Sequence, residues 1–63
     1  MANRVAEFRL KHDMTQEELA VRSNVSRTYL SQIETGTQEN ITNTVMTKIA
    51  NALDESVADI FFP

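Results

Sequence analysis

The sequence predicts an all-α fold, a compact five-helix domain spanning residues 1–63 as one unit. Three observations predict it. Apolar residues recur at helical spacing, and no stretch alternates apolar and polar positions with the β-branched enrichment of a half-buried strand. Thr15, Ser26 and Ser56 each stand directly before such a stretch, where a hydroxyl caps the first free backbone N–H groups. The one Gly, Gly36, and the one Pro, Pro63, leave the helical stretches unbroken.

Each element has its own signals. Val5 and Phe8, three apart, place a first helix over about 2–12, which Asp13 ends. Thr15 and Glu18 form a Thr-x-x-Glu capping box, opening a second helix over about 16–22 that buries Leu19 and Ala20. Ser26 caps a third over about 27–35, with Leu30 and Ile33 on one face and Gly36 as the left-handed residue that closes it. Met46, Ile49, Ala50 and Leu53 share the stripe of a fourth, over about 43–53. Ser56 and Asp59 make a second box before Val57, Ile60 and Phe61 in a fifth. Helices this short are marginal alone in water, so each must bury its stripe against the others. Met14 and Met46 read as core filler and His12 as an ordinary surface residue at a helix end.

Composition excludes much. A chain of 63 residues buries only about 60% of its unfolded surface. With no Cys and one His there is no disulfide, no thiolate nucleophile and no Cys- or His-pair metal site. No catalytic activity, no cofactor, no metal and no small-molecule ligand are expected. The longest apolar runs are three residues, so no signal peptide or membrane span is expected and the setting is cytoplasmic. The net charge of −3 by itself argues against a nucleic-acid partner. Its distribution does not. Residues 1–27 hold five of the six Lys and Arg against four acids, and residues 28–63 hold Lys48 against five acids.

Residues 15–36 read TQEELAVRSNVSRTYLSQIETG. Only Ser23-Asn24-Val25 separate the second helix from the Ser26 cap of the third. A break that short forces the sharp crossing of a helix-turn-helix. Asn24 suits the positive φ of the turn, and Val25 plugs the space beneath it.

The spaced pattern V-x-x-F-R-x-x-x-D-M-T-Q-x-x-L-A, N-V-S-x-x-x-L-S-x-I-E-x-G and I-A-x-A-L resembles the Cro/repressor-type (XRE) helix-turn-helix family, over roughly Val5 to Phe61. The resemblance implies a lambda-repressor-like domain whose third helix enters the major groove while the start of the second sits on the DNA backbone. The helical wheel agrees: with Leu30 and Ile33 inward, Thr28, Ser31, Gln32 and Thr35 fall on the opposite side, flanked by Arg27. That stripe contains no Glu or Lys, the residues an idle solvated helix face usually carries. Arg27 can grip guanine O6 and N7, Gln32 can pair with adenine N6 and N7, and the Thr28 methyl can meet a thymine methyl, with Ser31 beside them. Gln16, Tyr29, Thr35, Thr37 and Gln38 are the expected phosphate contacts, Gln16 aided by the helix dipole.

The chain departs from the family where Gly is usual before Met14, in the turn and after the fourth helix. Asp13, Asn24 and Asp54 stand there, each a short polar residue tolerated at positive φ. The loop after Gly36 lacks the usual cations and proline, and Glu39 in it repels phosphate. A shallow salt dependence follows, and Ile41 takes over the anchoring role of the proline. The resemblance also pairs Arg9 with Glu34. One recognition helix reads too little sequence alone, so the expected partners are double-stranded DNA and a second copy, in a homodimer through Ile60, Phe61 and Phe62. An antitoxin-like or anti-repressor protein-interaction module is the other reading of the same fold, favoured by the acidic total and Glu39.

Overall fold

The computed structural model describes residues 3–63. Among them five α-helices follow in order: α1 (Val5–Lys11), α2 (Gln16–Ser23), α3 (Arg27–Thr35), α4 (Asn43–Leu53) and α5 (Val57–Phe61). α2 packs on α3 and α4, while α1 packs on α3, α4 and α5. Their inward stripes form one core, from Val5 and Phe8 through Leu19, Leu30, Ile33, Ile49 and Leu53 to Ile60 and Phe61. Met14, Met46 and Ile41 are buried with them.

Helix α1 begins later than its periodicity predicts. The Asn3 carboxamide oxygen accepts from the Val5 N–H at 3.0 Å, and the Arg4 N–H leaves the helical pattern to donate to the Ile60 carbonyl at 2.8 Å. A short polar side chain has competed for the backbone, as Asn does outside helices. The part of the predicted helix on Ala2 lies outside the described residues.

The remaining helix ends follow the sequence, except that the box read at Ser56 and Asp59 forms only its hydroxyl half. Thr15 and Glu18 exchange both bonds of the capping box. Ser26, Thr42 and Ser56 each accept from the N–H three residues on. Asp13, Asn24 and Asp54 adopt φ of 55°, 57° and 55°. In each case the next residue donates back across the helix end: Met14 to Arg9, Val25 to Ala20, Glu55 to Ala50, at 3.0–3.1 Å. This is the Schellman closure, built three times without glycine. Gly36, at φ 83°, closes α3.

One expectation changes. Ile60 and Phe61 are 0% and 2% exposed, so neither can face a partner chain. Because α5 is wedged against both α1 and α4, two adjacent residues turn inward together. Only Phe62 of the expected interface is exposed. His12 lies, as expected, at the exposed end of α1, with its Nε2 3.5 Å from Glu55 Oε2 in the loop before α5.

Candidate nucleic-acid interface

Helix α3 starts where it does because the Ser26 hydroxyl accepts from the Tyr29 N–H at 3.1 Å. No acidic side chain lies in its first turn. The free N–H groups there and the Arg27 guanidinium make that end electropositive. Burial of Leu30 and Ile33 turns Arg27, Thr28, Gln32 and Thr35 to solvent and leaves Ser31 half-buried. Tyr29 is half-buried, packed against the core.

The turn brings the start of α2 beside this face. Gln16, Arg27, Thr28, Ser31 and Gln32 line one shallow depression. A second one, running along the turn past Glu17, Val21 and Asn24, shares Arg27. Arg27 therefore stands on the ridge between them.

Beneath the first depression lies a polar cluster. Arg9 grips Glu34 with two bonds, Nε to Oε2 at 2.9 Å and Nη2 to Oε1 at 3.2 Å. The third guanidinium nitrogen, Nη1, donates to the Met14 carbonyl at 2.8 Å. Gln16 Nε2 adds a bond to Glu34 Oε1 at 3.1 Å. The Arg9 and Glu34 side chains are 13% and 5% exposed, so this is a largely desolvated fork joining α1, α2 and α3. Sequence reasoning placed Arg9 beside Glu34 by resemblance but missed Gln16. No periodicity relates positions 16 and 34, and only the α2–α3 crossing puts them together.

The loop after α3 is more committed than its composition implies. Thr35 Oγ1 lies within bonding distance of the Ser31 and Gln32 carbonyls, at 3.0 and 3.3 Å, and 3.1 Å from Thr37 Oγ1. A hydroxyl has one proton. A phosphate bond donated by Thr35 therefore has to replace its bond to the helix. The Gln38 N–H pins the loop to the Gln32 carbonyl at 3.0 Å. Its side-chain Nε2 donates to the Asn40 carbonyl at 3.3 Å, leaving one amide N–H to give.

Among the described residues no group of three or more His, Asp or Glu side chains is placed to hold a metal ion, and no helix is long and apolar enough to cross a membrane.

The helix-turn-helix family profile matches residues 5–60. No curated protein matches the chain. Among solved structures it is similar to the restriction-modification controller protein C.AhdI from Aeromonas hydrophila, at 32% identity and a TM-score of 0.84, covering 89% of this chain and 83% of that one. The N-terminal DNA binding domain of SinR from Bacillus subtilis is 33% identical, with a TM-score of 0.82 over 86% of this chain and 78% of that one. The clp gene regulator ClgR from C. glutamicum is 36% identical, with a TM-score of 0.79 over 87% and 70%. With the family profile matching residues 5–60, the chain belongs to the XRE-type helix-turn-helix family of DNA-binding transcriptional regulators.

Proposed function

We propose that the protein reads a specific double-stranded DNA sequence and regulates transcription from it in the cytoplasm, as a repressor or controller protein without catalytic activity. The observation that carries this reading is the shared depression in which the α3 stripe meets Gln16 at the start of α2. An α-helix with its side chains is about 10–12 Å across, a fit to a major groove about 12 Å wide. Arg27, Thr28, Ser31 and Gln32 then face base edges. Gln16, Tyr29, Thr37 and Gln38 face phosphates, and Thr35 joins them by exchanging its helix bond. Two copies bind a pseudo-palindrome with half-sites about 10 bp apart, pairing on the face that carries the exposed Phe62.

Selection from a random duplex pool tests the whole reading, and a two-fold symmetric consensus is the expected result. On the selected site, Arg27→Ala costs about 1–3 kcal/mol of binding and relaxes specificity at one position, with the fold intact by circular dichroism. Wild-type affinity in both Arg27→Ala and Gln32→Ala overturns the assigned readout. Absence of salt-sensitive binding to random duplex at low salt leaves the protein-interaction module instead.

A further inference from the structure

We propose that Glu34 is a positioning residue for DNA binding: its buried carboxylate fixes the orientation in which the Gln16 carboxamide meets a phosphate. This rests on the DNA-reading face proposed above, and it assigns that face a support no contact residue supplies.

The chemistry of the two groups allows one arrangement. An ionised carboxylate only accepts hydrogen bonds, whereas a carboxamide has a donor end and an acceptor end. Flipping Gln16 sets oxygen against oxygen, so Nε2 must face Glu34, at 3.1 Å. One N–H is spent there. The other remains to be donated, on a side chain that lines the depression with Arg27 and Gln32. Gln16 is the first residue of α2, where the backbone N–H groups that the Thr15 cap leaves unpaired also favour an anion. A phosphate arriving there meets an amide already oriented, and the rotamer freedom of a long side chain is lost before binding rather than during it.

A carboxylate so near a phosphate is unfavourable unless its charge is met elsewhere. Arg9 meets it with two bonds, and its third nitrogen ties the same fork to the Met14 carbonyl, next to the Thr15 cap. Glu34 thus acts on the amide without presenting net negative charge to the DNA. Gln32, on the same helix, is exposed and has no such clamp on its side chain.

The test is a double-mutant cycle on duplex affinity, at a temperature where circular dichroism shows every variant folded. Gln16→Ala weakens binding about tenfold, the effect of one hydrogen bond to a charged group. Glu34→Gln, whose amide can face Gln16 by either end, weakens it by a similar factor, and the double variant binds no worse than Gln16→Ala. The slope of log affinity against log salt stays at its wild-type value, since no phosphate-contacting cation is lost. Simple electrostatics predicts the opposite sign, because removing an acid should tighten binding. Tighter or unchanged binding by Glu34→Gln, or losses that multiply in the double variant, overturns the role. Should Glu34→Gln not fold, side-chain amide relaxation of the wild-type protein decides: Gln16 is rigid and Gln32 mobile in the free state, and equal mobility overturns the proposal. If wild type binds no duplex, the reading face itself fails. If wild type binds and the cycle shows no coupling, only the role of Glu34 fails.

Discussion

Two Arg–Glu pairs begin on or beside α1 and differ in nearly everything except their functional groups. Arg4 and Glu7 lie within one helical turn, with side chains 41% and 59% exposed. Arg9 and Glu34 join α1 to α3, with side chains 13% and 5% exposed. In the first pair each partner, if deprived of the other, is rehydrated at once. In the second neither is readily rehydrated, because the helices around it cover most of both side chains. The difference teaches that a drawn ion pair says little until the fate of the abandoned partner is known.

The largest predicted effect breaks the buried pair from one side. Arg9→Ala strands the Glu34 carboxylate with only Gln16 as donor and should cost about 3–5 kcal/mol, measured by urea unfolding. Against a total of about 5–15 kcal/mol for a native domain, with a chain this small near the lower end, that leaves little folded protein. Replacing both partners sharpens the result. Arg9→Met with Glu34→Leu removes the stranded charge and should recover most of the stability while DNA affinity stays weakened. A loss below about 1 kcal/mol in Arg9→Ala would place the buried pair with ordinary surface pairs.

The comparison also marks how far the sequence could be read. Helices α2 to α5 and the hydroxyl caps at Thr15, Ser26 and Ser56 were legible, because local bonds and short-range periodicity determine them. The positive φ at Asp13 and Asp54 came from the family resemblance, and the Thr42 cap of α4 was not read. The Leu30 and Ile33 stripe placed the exposed face of α3 by its short-range period. The start of α1 was not legible, since Asn3 diverts the backbone through a bond that helical spacing does not encode. Nor was the inward turn of both Ile60 and Phe61, because a helix of five residues shows too little period to reveal that it is flanked on two sides. Gln16 with Glu34 and His12 with Glu55 depend on how distant helices cross, which neither residue type nor spacing carries. The site's residue types were readable. Its internal wiring was not.

An intermediate effect separates exposure from partnership. Thr15 and Glu18 are exposed, as Arg4 and Glu7 largely are, yet their bonds go to backbone N–H groups that the helix start leaves without partners. Thr15→Ala should therefore cost about 1 kcal/mol in the same urea assay. Glu7→Gln should leave the midpoint where it is. Equal losses in the two variants would mean that exposure alone governs, and the backbone partner would count for nothing.

The smallest effect lies in the exposed pair itself, and it appears in titration rather than in stability. The hydrogen bonds from the Arg4 guanidinium hold the Glu7 carboxyl below the usual carboxylate range, and the Glu7 carboxylate in turn raises Arg4 above its own. A folded-state pKa below the unfolded one means that the unfolded chain binds the proton more readily. The contribution is therefore complete above the ordinary glutamate range and is lost as pH falls through the depressed folded value. Solvent screening keeps it slight. An NMR titration of the Glu7 side-chain carboxyl should show a midpoint below that of an ordinary glutamate, returning to the ordinary value in Arg4→Met. Over the same acid range, wild type and Arg4→Met should lose stability in parallel. A gap between them that opens widely as pH rises through the acid range would give the exposed pair the weight assigned here only to the buried one.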